Sequence, residues 1–493
     1  MNSPVLAAGT QGTPAMVTGP VLEWQDRFLD QPEPLTGAVV YDRRPTPLFR
    51  TAFVVEHGAK ALLMAEGGKN YHPLILAAEA GLPAIAGLGK VDGLAGRQVT
   101  VDVEAGKVYA AQAVPAETIS VVPPFVGAPD TPPVYVNVGY PSGLQEAGHS
   151  GAAGLGLLRT EFAAVKTLAL NLKQTLDDGR CWRELLEQQG GNEADAIYAI
   201  ARDQRSKALL KAGFREVVAA AVACFGTREV IVRTLDIARR LDEPMGNRGI
   251  RRCVGSGGDT IGLLCEAIRE VLAEHGGQIG LILPLVSHYS QISATMEHVL
   301  TSGLTLHRAD SAAPLQIRFG WEIEQPAASQ NNLLWLAAFT AEFGQPPHMI
   351  GIGTNDLTQF TIALGRDAYA EETTPTLAGY LCDLYDEREF SVVRQILETA
   401  AQCRKVGTRV FLLGQAGTDS LLAPLLFACG VTPSVATAHV GNVRRLAQAS
   451  LQPGAAARAL EAYKDWVLAH YTAAARTAVE RELDTCFAAT IPL

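Results

Sequence analysis

A chain of 493 residues with 48% hydrophobic and 19% charged residues has material for a sizeable core, which excludes a disordered polymer. Its length implies about three domains, or two where one is a large barrel. The formal charge of −10 argues against nucleic acid or an anionic membrane as the main partner, yet leaves room for a local arginine cluster that holds phosphate.

The eight cysteines form no C-x-x-C pair, so zinc and dithiol redox motifs are poorly supported. A disulfide framework is not expected in a chain this long. The first residues lack a secretory pattern, and no apolar stretch of about 20 residues could span a membrane. The expectation is a reduced, cytoplasmic protein.

The first segment, residues 8–114, predicts short strands with a helix or two. Ala38–Tyr41, Ala52–Val55 and Ala61–Met64 are short apolar runs that predict buried strands. A turn-rich stretch, Glu66-Gly67-Gly68-Lys69-Asn70-Tyr71-His72-Pro73, leads into a predicted helix over Leu74–Ala80, stopped by Gly81 and Pro83. Val99–Val103 alternates as a strand, and Val108–Ala110 can pair back on it.

Six prolines between Pro115 and Pro133 make residues 115–133 a semi-rigid linker. Beyond it, apolar strands alternate with helical segments: Val134–Val138, Gly154–Leu158, Val230–Leu235, Ile279–Val286, Ile317–Ile323, Met349–Gly353 and Val410–Gly414. With a weaker strand near Ile250–Val254 these predict a (β/α)₈ barrel over residues 134–450. Residues 451–493 read as a helical tail. The fold class is therefore α/β: a small domain, then a TIM-type barrel.

Barrel active sites form at the C-terminal ends of the strands, and polar residues gather there. Arg159, Arg233, Arg248 and Arg366 lie at strand ends or in the loops beyond them. Guanidinium groups hold carboxylate and phosphate oxygens with paired hydrogen bonds, so the set points to a small polyanion. Glu324 and Asp356 also end strands; two carboxylates with phosphate oxygens and water can complete a Mg²⁺ site. His72, between a glycine-rich turn and a helix, is placed to carry a phosphoryl group near backbone N–H donors. Each has a plainer reading: surface ion pairs for the arginines, a helix cap for Asn355 or Asp356, and an ordinary surface or capping role for His72.

Residues 8–450 resemble the phosphohistidine and PEP-binding domains of the PEP-utilising enzymes, a family that includes PEP synthase, pyruvate phosphate dikinase and Enzyme I of the sugar phosphotransferase system. Gly67–His72 and Ala78–Gly87 resemble the histidine segment, Gly154–Phe162 looks most like PEP synthase, and Gly351–Phe360 is the most specific match. The resemblance implies a swivelling domain phosphorylated on His72. It implies substrate roles for Arg159, Arg233, Arg248, Arg366 and Asn355, and Mg²⁺ ligation by Glu324 and Asp356. The linker would let His72 travel between the barrel and a second station.

The sequence departs from that pattern in three places. The resemblance implies an acid/base cysteine just after the eighth strand, where Leu412-Leu413-Gly414-Gln415 puts Leu413 instead; a leucine cannot move a proton. Cys429 imitates the motif in letters only and is expected in the core. Asn70, Tyr71 and Pro73 flank His72 where the family has small residues. No ATP-grasp domain precedes residue 8, so a separate ATP-grasp subunit is expected where ATP is the donor.

The expected function is phosphotransfer through His72, as a PEP-synthase-like (pyruvate, water dikinase-related) subunit of a split enzyme with a PEP-like substrate. A phenylphosphate-synthase-like transfer to a hydroxyl acceptor is a second expectation, because it needs no carbon protonation. A non-catalytic binding or regulatory homologue is a third. Family members commonly dimerise through the barrel, so a homodimer is the expected assembly.

Overall fold

The computed structural model describes the whole chain except residues 1–4, 9, 12–14, 68–71, 111–129, 190–191, 238–247, 256–259, 312, 366–383 and 492–493. In the small domain, eight strands form one mixed sheet. They are β1 (Val5–Ala8), β2 (Thr10–Gln11), β3 (Met16–Glu23), β4 (Val39–Asp42), β5 (Ala61–Met64), β6 (Ala84–Ala86), β7 (Gln98–Asp102) and β8 (Lys107–Ala110). β3 to β6 run parallel in order, and β7 and β8 form the expected antiparallel hairpin.

Period-two alternation explains why β4 and β5 are apolar throughout. Val39, Tyr41, Ala61 and Leu63 fill one face with Ile85 and Val101. Val40, Leu62 and Met64 fill the other, beneath two helices, α1 (Leu48–Glu56) and α2 (His72–Glu79).

The apolar run Ala52–Val55 is therefore helical and not a strand. Pro47 is extended and starts α1, and Phe49, Ala52 and Phe53 recur at helical spacing. The run looks continuously apolar because α1 is covered on two sides, by its own sheet and by the barrel helix Thr160–Leu170. The helix expected over Leu74–Ala80 is α2, which starts at His72 itself. Of the proline-rich linker, residues 115–129 lie outside the described part.

The second domain is a closed barrel of eight parallel strands. They are β9 (Tyr135–Val138), β10 (Leu155–Arg159), β11 (Glu229–Arg233), β12 (Gln278–Leu283), β14 (Gln316–Ile323), β15 (Met349–Ile352), β16 (Arg409–Leu412) and β17 (Val431–Ala436), with a two-residue β13 (Thr305–Leu306) beside the start of β14. Tyr135, Leu157, Ile231, Ile282, Met349, Phe411 and Leu413 fill the interior. The segment near Ile250–Val254 is a helix, Ile250–Gly255. The eighth strand is β17, which contains Pro433, so Leu413 follows the seventh strand, β16, and not the eighth. Pro433 is tolerated opposite Leu412, and the strand closes the barrel against β9. Cys429 caps the helix before β17 and is buried.

The tail forms two helices, Ala455–Ala469 and Ala473–Thr490. The second lies on the barrel helix Phe390–Val406 through the Phe390–Phe487 ring contact and the Arg404 bond to the Thr490 carbonyl, and the first packs on the helix Leu422–Ala428 and on the second. No described helix is long and apolar enough to cross a membrane.

Candidate active site

One cavity at the C-terminal mouth of the barrel collects residues from both domains. The barrel contributes Arg159 from the end of β10, Arg233 from the end of β11 and Asp236 beyond it, Arg248, Glu322 from β14 and Glu324 just beyond it, Asn355 and Asp356 beyond β15, and Leu413 beyond β16. The small domain contributes His72 and the start of α1. Seven of the eight residues singled out from the sequence thus line a single space; the eighth, Arg366, lies outside the described residues.

Local sequence explains the convergence. On β14, Phe319, Trp321 and Ile323 pack outward, so alternation turns Glu322 and Glu324 inward. Asp356 sits in the first turn of the helix Thr354–Ile362, with Gly353 preceding it. A side chain at Gly353 would collide with Glu324, its Cβ falling 2.5 Å from Oε1. Asn355 is fixed from behind by the Tyr385 hydroxyl, which donates to its carbonyl at 2.6 Å.

The described arginines are each held by carboxylates. Arg248 makes paired bonds to Asp236 at 2.9 and 2.7 Å and reaches both oxygens of Asp356 at 3.2 Å. Arg233, buried, pairs with Glu161 and lies 3.6 Å from Asp236 and 3.7 Å from Glu322. Arg159 pairs with Glu79, the last residue of α2. Burial alone would lower the Arg233 pKa, but Glu161, Glu322 and Asp236 outweigh it and raise it. Burial would raise Asp236, but Arg248, with Arg233 and His72 behind it, holds that carboxyl below its usual range. His72 and Asp236, from the two domains, line the same cavity.

Glu324 accepts the Leu285 N–H at 2.7 Å. Leu285 takes a left-handed backbone conformation, φ 53°, an unfavourable state for leucine that is often found beside functional sites. Burial raises the Glu324 pKa well above normal, and repulsion from Glu322, Asp356 and Asp236 adds to it. Six carboxylates and three guanidiniums line the cavity among the described residues. Such a hard-oxygen, electron-rich set suits a small divalent cation completed by water and phosphate oxygens. Among the described residues no three His, Cys, Asp or Glu side chains converge into a metal cage; Glu324 and Asp356 are two cavity carboxylates that could contribute to a cation site.

Sequence reasoning missed several members. Glu161 and Asp236 lie two and three residues beyond Arg159 and Arg233, and that spacing was a usable signal. Glu322 shares the inward face with Glu324, two residues away. Glu79 and Glu193 carried no signal, because their partners are distant in sequence. Glu193 accepts the Phe49 N–H at 3.2 Å and so caps α1 across the domain boundary.

The comparisons with known proteins agree with this geometry. Residues 130–451 match the PEP-binding domain of the PEP-utilising enzymes, and residues 46–106 match their mobile domain. The chain is 30% identical to phosphoenolpyruvate synthase of Pyrococcus furiosus over 403 residues, covering 76% of this chain and 42% of that protein. It is 26% identical to phosphoenolpyruvate synthase of Escherichia coli, covering 73% and 44%. It is 27% identical to phosphoenolpyruvate-protein phosphotransferase of Haloferax volcanii, covering 86% and 71%. The chain thus spans less than half the length of the synthases it matches. With both the mobile and the PEP-binding domain matched, the chain belongs to the PEP-utilising enzyme family.

Proposed function

We propose that this chain is a phosphotransferase that carries its phosphoryl group on His72. The observation that supports this most is that His72 lines the same cavity as Arg159, Arg233, Arg248, Glu324, Asn355 and Asp356. In this reading the arginines, with Arg366, hold the carboxylate and phosphate oxygens of a PEP-like ligand, and Asn355 orients it. Mg²⁺ on Glu324 and Asp356 would supply charge neutralisation for the phosphoryl group. The phosphoryl group reaches His72 from ATP on a separate ATP-grasp subunit, or from PEP in the barrel, in which case the enolate left behind takes its proton from water.

The acceptor is proposed to be an oxygen. As it attacks phosphorus, the P–N bond to His72 breaks and the acceptor's proton is released. Leu413, buried to 7% exposure in the pocket wall, offers no proton for carbon, so the enolate chemistry of PEP and pyruvate is disfavoured. This supports a phenylphosphate-synthase-like transfer over a PEP-synthase-like one. Leu413 also favours a second reading, a binding protein without catalysis.

Labelling separates them. Incubation with labelled PEP, or with ATP and an ATP-grasp partner, is expected to give an acid-labile, base-stable label lost in His72→Ala. Absence of label under both conditions overturns the catalytic reading. Leu413→Cys should raise pyruvate–PEP exchange above the wild-type rate.

A further inference from the structure

The small domain turns the starts of both its helices toward the cavity. α2 begins at His72, and α1 begins after Thr46 and Pro47, which line the same space. α1 starts without a capping side chain. The proline at its N-cap has no side-chain oxygen, and no acidic residue stands in its first turn, so its leading N–H groups need partners from elsewhere.

A partner comes from the barrel. Glu193 opens the helix Glu193–Arg202, and its Oε1 accepts the Phe49 N–H at 3.2 Å. That helix does not need the Glu193 side chain, because Asn192 caps it by accepting the Asp195 N–H at 3.1 Å. It is fixed to the barrel by Asp195, which pairs with Arg252, and by the Tyr198 ring, 4.7 Å from the same guanidinium. Burial raises the Glu193 pKa, opposed by the N–H groups of Glu193 itself, Phe49 and Leu48. Two helix N-termini, one from each domain, thus converge on one carboxyl group; without it their positive ends would face each other. By contrast, the Arg183–Asp30 pair across the same seam, at 2.9 Å, is solvent-exposed and contributes little.

We propose that Glu193 is a positioning residue: it seats the small domain with His72 in the cavity by capping α1 from the other domain. The inference rests on the reading of His72 as the phosphoryl carrier. A cap within the small domain would stabilise α1 equally wherever that domain sits. A cap supplied by the barrel stabilises α1 only while the domain is docked, so the free energy of capping becomes free energy of docking. Glu193 does this without using a guanidinium of the cavity, because its partners are backbone N–H groups.

Oxidative footprinting of Tyr140 reads docking directly, since this barrel residue is 1% exposed and its hydroxyl donates to Glu56 of α1 at 2.5 Å. In the full chain, Glu193→Ala should raise Tyr140 oxidation about fivefold, the size of one lost cap. It should slow labelling of His72 by saturating PEP by a similar factor. Glu193→Gln, which keeps an acceptor oxygen, should recover part of both. A Tyr140 footprint unchanged in Glu193→Ala overturns the inference; slower labelling beside it would make Glu193 a group acting on the reaction itself. Weaker PEP binding in Glu193→Ala also overturns it, by making Glu193 part of the ligand site. If the wild-type chain takes no label from PEP, or from ATP with a partner, the carrier reading falls, while the footprint still decides whether Glu193 seats the domain.

Discussion

Glu79 closes the helix that His72 opens, and its carboxylate pairs with Arg159 at the end of β10. The slot is built for it: a Cβ at Gly139 would fall 1.5 Å from Glu79 Oε2. Burial raises the Glu79 pKa, with Arg159 opposing. The arm that carries His72 is therefore anchored on a guanidinium proposed to hold substrate. In that proposal a ligand would compete with Glu79 for Arg159, and binding in the barrel would be coupled to docking of the small domain.

Glu79→Gln should loosen that docking. A charge-assisted hydrogen bond is worth about 1.5–3 kcal/mol, so the docked-to-undocked ratio should fall about 10- to 100-fold. Small-angle scattering should report a larger radius of gyration, and PEP affinity should rise because Arg159 is released. An unchanged scattering curve with unchanged affinity would make the pair merely structural.

At the opposite end of the barrel, Glu229 ties four strands together. It accepts paired bonds from Arg409 at 2.8 and 2.7 Å and one from Tyr135 at 3.1 Å, with Arg318 at 3.4 Å. Breaking such a buried set typically costs about 3–5 kcal/mol. Glu229→Gln should lower the unfolding midpoint accordingly without altering PEP binding. Burial acts to raise the Glu229 pKa, but Arg409 outweighs it and holds the carboxyl below its ordinary 4.5. A depressed carboxyl stabilises above the unfolded value and loses that contribution as pH falls through the folded one. The gap between wild type and Glu229→Gln should therefore narrow below about pH 4.5. A gap that is constant with pH would contradict the ion-pair account.

The barrel was legible because parallel strands covered on both faces appear as short apolar runs, and seven of them stood out. β17 did not, because Pro433 breaks its pattern and only pairing with Leu412 and Tyr135's strand makes it a strand. Ala52–Val55 misled for a related reason: a helix covered on two sides is as uniformly apolar as a buried strand. The candidate cations and Mg²⁺ carboxylates were readable from their positions at strand ends. Among their counter-charges Glu161 and Asp236 follow close behind the arginines, but Glu79 was not readable, since it and Arg159 are 80 residues apart and no local pattern links them.

Gly351 should tolerate no side chain. An added Cβ would meet Leu413 Cδ1 at 2.7 Å and Ile282 Cδ1 at 2.8 Å, besides Glu322. Overpacking of this kind costs about 1–3 kcal/mol, so Gly351→Ala should lower the melting midpoint and weaken ligand binding. Leu413→Ala removes one of the colliding groups. The double variant should recover part of the loss, a coupling expected only for residues in contact. Strictly additive effects would place Leu413 away from Gly351.

Glu387 supplies the last expectation. It belongs to a segment that braces two loops of the mouth: Tyr385 holds the Asn355 carbonyl, and Arg388 bonds Asp419 at 2.6 and 3.0 Å. Burial pushes the Glu387 carboxyl up to about 7, opposed in part by a backbone N–H of Ala416. A raised carboxyl gives stability that is complete below the unfolded value, near 4.5, and lost as pH rises through about 7. With its partial exposure discounted, the change is about 1–2 kcal/mol. The wild-type melting midpoint should therefore drop between about pH 4.5 and 7.5, and PEP affinity should drop with it as Asn355 loses its brace. Glu387→Gln, neutral throughout, should show a flatter midpoint over that range. Parallel curves for the two proteins would mean that Glu387 does not titrate there.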